Sequence, residues 1–92
     1  MANVHIELTN GFQTDIDPIV LDDLEVIEML ADIEDGNPLA FPRVSKKLLG
    51  QDGHRKLCDL LREKDGRVPT EAFGTELTEV IRQLGENERT KK

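Results

Sequence analysis

The sequence has no tryptophan, no tyrosine, three phenylalanines and a single cysteine. Without aromatic platforms, nucleic-acid binding by base stacking is not expected, and the interior must be built mainly from Leu, Ile and Val. One thiol cannot close an internal disulfide, which fits a reducing compartment. No apolar run approaches the length of a membrane span, and no secretory or transit segment is recognisable, so the cytoplasm is the expected location. One sign of charge is also missing from the front of the chain. Residues 1–36 hold ten acids and no Lys or Arg, whereas residues 37–92 hold nine acids and twelve bases, so −10 in front and +3 behind give the net −7. Such a front is repelled by phosphate backbones and anionic membranes and attracts basic partners. Acids that only keep the domain soluble are the plainer account.

Ninety-two residues make one small domain, with a modest core and no room for a deep cleft between subdomains. The spacing predicts a mixed α+β chain, mostly α: a β-hairpin at 3–17 followed by a compact bundle of about four helices at 21–35, 42–49, 52–65 and 69–84. These form one domain over 1–85, with 86–92 disordered because it has nothing apolar to bury. In the hairpin, Val4, Ile6 and Leu8 alternate with His5 and Glu7, Asn10-Gly11 makes the turn, and Phe12, Thr14 and Ile16 continue the apolar side.

The run from Leu21 to Gly36 is read as the central helix. Leu24, Ile27, Leu30 and Ala31, with Val26 and Ile33 beside them, are taken as its inner face, and Glu25, Glu28, Asp32 and Asp35 as an acidic outer stripe. Asp22 or Asp23 serves as its cap. Pro38 and Pro42 confine residues 38–41 to an irregular or single-turn piece. Val44 and Leu48 point inward in the second helix, Leu57, Leu60 and Leu61 in the third, and Phe73, Leu77, Val80, Ile81 and Leu84 in the fourth. Gly36, Gly50, Gly66 and Gly85 are expected to stop the four helices in turn.

Reactive constellations are missing from this pattern. Asp32-Ile33-Glu34-Asp35-Gly36 fails as a calcium loop, because the glycine falls fifth instead of sixth and position twelve is Arg43. Two histidines and one cysteine make no zinc site, and no phosphate-binding glycine loop or nucleophile elbow occurs. Cys58, in a leucine-rich stretch, reads as a packing residue with neither His5 nor His54 placed to activate it. No catalytic residue, metal ligand or cofactor is therefore expected. The bases Arg43, Lys46, Lys47, Arg55, Lys56 and Arg62 raise DNA binding by a helix pair, which the acidic front opposes. The same bases can instead lie beside the acidic helix, within one molecule or between copies.

The motifs D-D-x-E-x-x-E-x-L-A-D-x-E-D-G-N-P at 22–38, K-L-L-G at 47–50 and L-R-E-K-D-G-R-V at 61–68, in a chain that opens with a strand pair, resemble the small tail assembly chaperones of long-tailed phages and prophages of Gram-positive bacteria. The similarity covers about residues 3–85. It implies a non-enzymatic protein of the bacterial host cytoplasm, absent from the mature virion, that binds the tape measure protein, keeps it soluble and promotes assembly of tail tube protein around it. On this resemblance Glu25, Glu28 and Asp32 attract the client, and Leu77 and Ile81 hold it, although core packing already accounts for the last two. A homo-oligomer is open, and nucleic acid and membrane are not expected partners. The competing reading is an acidic regulatory or inhibitory module that imitates nucleic acid and binds a basic protein.

Overall fold

The computed structural model describes residues 3–90. It is mostly helical, with an antiparallel hairpin at the front. The hairpin strands are β1 (Val4–Glu7) and β2 (Gln13–Ile16), with Val4 opposite Ile16 and Ile6 opposite Thr14. Its turn is closed by the Gly11 amide donating to the Leu8 carbonyl at 3.1 Å and the Phe12 amide donating to Asn10 Oδ1 at 2.9 Å. Side-chain alternation puts Val4, Ile6, Leu8, Phe12 and Ile16 on one buried face. A lone hairpin is marginal in water, so this face owes its stability to the helices that cover it.

Three helices follow among the described residues: α1 (Leu24–Glu34), α2 (Phe41–Leu61) and α3 (Thr70–Thr90). Short 3-10 turns at Pro18–Leu21 and Pro38–Ala40 lead into the first two. Pro42 sits in the first turn of α2, where its missing amide hydrogen costs nothing. The second and third helices expected at 42–49 and 52–65 are one element. It is interrupted only at Gly50, whose φ of 75° and ψ of 171° are non-helical. Only glycine adopts that conformation freely, so the chain bends there without ending the helix.

α2 stops at Leu61, short of the expected Asp65. The Glu63 amide instead donates to the Arg67 carbonyl at 2.8 Å, and Asp65 Oδ1 accepts from the Arg67 amide at 3.0 Å, which folds residues 63–67 into a turn. At the other end α3 passes through Gly85 and continues to Thr90. Arg82 is paired with Glu79 one turn back and with Glu86 one turn ahead, so an ion pair spans the glycine. Arg82 holds the Glu79 carboxyl down at about 2. The disordered tail expected at 86–92 is thus helical as far as Thr90, and residues 91 and 92 lie outside the described residues.

The core is formed by the hairpin face, Val44, Leu48 and Leu57 of α2, and Phe73, Leu77, Val80 and Leu84 of α3. Each fully buried Leu or Val contributes about 1.5–3 kcal/mol through removal from water. Gln83 of α3 also grips the hairpin: its Nε2 donates to the Glu7 carbonyl at 2.9 Å while its Oε1 accepts from the Glu7 amide at 3.4 Å. The side-chain amide thereby occupies one backbone position on the free edge of β1.

Candidate protein-binding surface

The helix read as central is peripheral, and this is the main correction to the sequence reading. α1 packs against the first half of α2 and the two 3-10 turns, and Val26 alone among its residues is fully buried, at 1% exposure. Met29, Leu30 and Ile33 join Val26 in facing the core. Leu24, Ile27 and Ala31, expected inside with Leu30, are outside; Leu24 is 71% exposed and Ile27 52%. At about 100° per residue these three fall together on the side opposite Val26 and Ile33. Seven of the eleven residues of α1 are apolar, too many for one face, so the helix has two apolar sides. The side bearing Val26, Met29, Leu30 and Ile33 is the larger, which explains why it wins burial.

The ends of α1 are well determined by short-range bonds. Asp23 Oδ1 accepts from the Glu25 amide at 2.9 Å as the N-cap. At the C-terminus the Gly36 amide donates to the Ile33 carbonyl and the Asn37 amide to the Asp32 carbonyl, both at 3.0 Å. That pair of bonds requires the left-handed conformation Gly36 supplies, with φ 87°.

Charge surrounds the outer stripe. Glu25, Glu28 and Asp32 are all exposed. Glu25 differs from the other two, because Lys47 Nζ lies 3.6 Å from its Oε1 and 3.7 Å from Asp23 Oδ2, an anchorage of about 0–1 kcal/mol that ties α1 to α2. Glu28 and Asp32 have no Lys, Arg or His in salt-bridge reach among the described residues. The remaining pair of proposed contacts is placed otherwise. Leu77 is fully buried and Ile81 is half-buried against the core, so Leu77 is not on the surface and both hold α3 in place. On α1 the large apolar side chains available to a partner are Leu24 and Ile27; Ile19, Leu39 and Leu60, the last expected to point inward, are exposed elsewhere.

A second cluster was not anticipated. His54 does face Cys58: four residues apart on α2, they bring Nε2 to 3.6 Å from Sγ, while Nδ1 is 2.7 Å from the fully buried Ser45 Oγ. The His54 ring meets Phe73 edge-on, with centroids 5.5 Å apart. Burial, with Lys46 adding to it, holds the imidazole below its ordinary value, and burial pushes the thiol up. Both groups are therefore neutral near pH 7, and a neutral thiol is a poor nucleophile. The chemistry is that of a satisfied polar contact at a helix junction. Beside it lies an apolar cavity of about 320 Å³ between Leu39, Phe41, Val68 and Phe73. Spacing of i, i+4 between His54 and Cys58 was the available signal for this contact.

No group of three or more His, Cys, Asp or Glu is arranged to hold a metal ion among the described residues, and none of their helices is long and apolar enough to cross a membrane. Comparison with protein-family models, curated proteins and solved structures finds no match to this chain.

Proposed function

We propose that the chain is a non-catalytic protein-binding module of the tail assembly chaperone type, and that its client is the tape measure protein of a long-tailed phage or prophage. Support comes from one observation, the exposed Leu24 and Ile27 of α1 set among Glu28, Asp32 and the other acids of the first 36 residues. Side chains of this size are left in water at some risk of aggregation, and a helix-in-groove partner that covers them removes that risk. The acids select a client helix whose apolar stripe has basic flanks. The tape measure protein, held in this way until tail tube subunits surround it, stays soluble in the host cytoplasm, and the chaperone leaves before the virion is complete.

Co-expression with the tape measure protein tests this reading. Wild type is expected to raise the soluble yield of the client and to co-purify with it, and Glu28→Lys/Asp32→Lys to lose both in a salt-sensitive manner. Unchanged solubility of the client with and without the wild-type chain contradicts the proposal. The rival, an acidic imitation of nucleic acid, has the same charge in its favour but gives no reason for Leu24 and Ile27 to be exposed.

A further inference from the structure

The two edges of the hairpin differ in what covers them. The Leu8 amide donates to the Phe12 carbonyl at 2.9 Å, so Leu8 and Phe12 are a bonded pair. Bonded and non-bonded pairs alternate along an antiparallel ladder, which makes Glu7 with Gln13 and His5 with Asp15 the non-bonded pairs, their amides and carbonyls turned outward. On the β1 edge Gln83 takes both outward groups of Glu7. On the β2 edge the backbone amides and carbonyls of Gln13 and Asp15 meet no partner among the described residues, and both residues are exposed.

A hollow adjoins that edge. It has a volume of about 490 Å³, with Gly11, Phe12 and Gln13 on its hairpin side and Lys56, Asp59 and Leu60 on its α2 side. Leu60 is 51% exposed there. Arg55 and Lys56 are exposed and have no carboxylate in salt-bridge reach among the described residues, whereas the charge of Asp59 is matched by Arg62 at 3.1 Å. An unpaired strand edge, an apolar hollow and a positive margin thus lie side by side.

We propose that these three features form one docking site for an extended segment of another protein, which adds a strand beside Gln13 and Asp15 and carries an apolar residue followed two positions later by an acid. The free backbone groups of β2 bind the strand, the hollow takes the apolar side chain against Leu60 and Phe12, and the carboxylate faces Lys56 and Arg55. The spacing agrees with this pattern. Side chains two apart on a strand share a face and are separated by about 7 Å, and side chains four apart on a helix by about 6 Å. A peptide residue against Leu60 therefore has its same-face neighbour about as far away as Lys56 is. A helical ligand would leave the β2 edge unpaired, and a polyanion without apolar groups would leave Leu60 in water. The site shares no residue with the outer side of α1, so it is independent of the client proposed for that helix.

Amide hydrogen exchange, followed by NMR on the full chain, tests the site with the capped peptide T-V-T-L-T-E as probe. At a peptide concentration about ten times its dissociation constant, exchange at Gln13 and Asp15 is expected to slow by about tenfold, with Leu24 and Ile27 unaffected. N-methylation of alternate peptide residues removes the donors from one side of the added strand. It is expected to abolish binding in one phase and to preserve it in the other. Lys56→Glu, at an exposed position, is expected to weaken the probe several-fold and to favour T-V-T-L-T-K instead. Four results overturn the proposal: no binding at millimolar probe, binding indifferent to N-methylation in either phase, slowed exchange confined to α1, or protection of Gln13 and Asp15 that grows with the concentration of the chain alone, which would make a second copy the occupant.

Discussion

The ring of Phe41 lies over the backbone of Gly74, where a methyl group built on residue 74 would come within 2.5 Å of Cε2 and 2.7 Å of Cζ. This contact brings the start of α2 against the first turns of α3 and explains a glycine inside a helix, where it costs about 1 kcal/mol relative to alanine.

Gly74→Ala is therefore expected to destabilise the protein by about 1–3 kcal/mol in spite of the gain in helix propensity, because the ring must shift. Chemical denaturation measures the loss. Phe41→Leu in the same chain should recover part of it, which a purely local effect at residue 74 would not allow.

Gly50 and Gly85 give opposite expectations for the same substitution. Both have open space around them, but Gly50 has φ 75° and ψ 171° while Gly85 lies within α3 without a positive φ. Gly50→Ala is expected to cost about 1–3 kcal/mol from backbone strain alone. Gly85→Ala is expected to stabilise by up to about 1 kcal/mol. Thermal melts of the two variants beside wild type check both signs.

The two histidines titrate in opposite directions from the ordinary 6.5. Hydrogen bonding to Asp15, at 2.8 Å, raises His5, whereas burial lowers His54. The contribution of His5 is thus present below pH 6.5 and lost as pH rises through its folded value. That of His54 is present above 6.5 and lost as pH falls through its folded value. An NMR titration of both imidazoles should find His5 above 6.5 and His54 below it, and Asp15→Asn should bring down His5 only.

Local periodicity made much of this fold legible. Alternation in Val4, Ile6 and Leu8 specifies a hairpin face, and Phe73, Leu77, Val80 and Leu84 specify one side of α3, because each set offers a single way to bury its apolar groups. α1 offers two ways. Leu24, Ile27 and Ala31 form as regular a stripe as Val26, Met29, Leu30 and Ile33, and only packing against α2 decides between them. Glycine was ambiguous for a similar reason: Gly36 ends a helix, Gly50 bends one and Gly85 interrupts nothing, depending on the φ each adopts and on ion pairs such as Arg82 to Glu86. The acids of the candidate surface were readable from sequence. The apolar residues beside them were not, since exposure of Leu24 and Ile27 is a property of the packed chain.

Affinity for the tape measure protein, measured by calorimetry with wild type and with Leu24→Ala/Ile27→Ala, tests the central claim most directly. Both substitutions are at exposed positions, so the thermal midpoint should stay near that of wild type. Truncated anchors at the centre of an interface cost about 1–2 kcal/mol each, and the double variant is expected to bind at least about tenfold more weakly. Equal affinity in a correctly folded double variant would mean that the outer side of α1 is not the surface that receives the client.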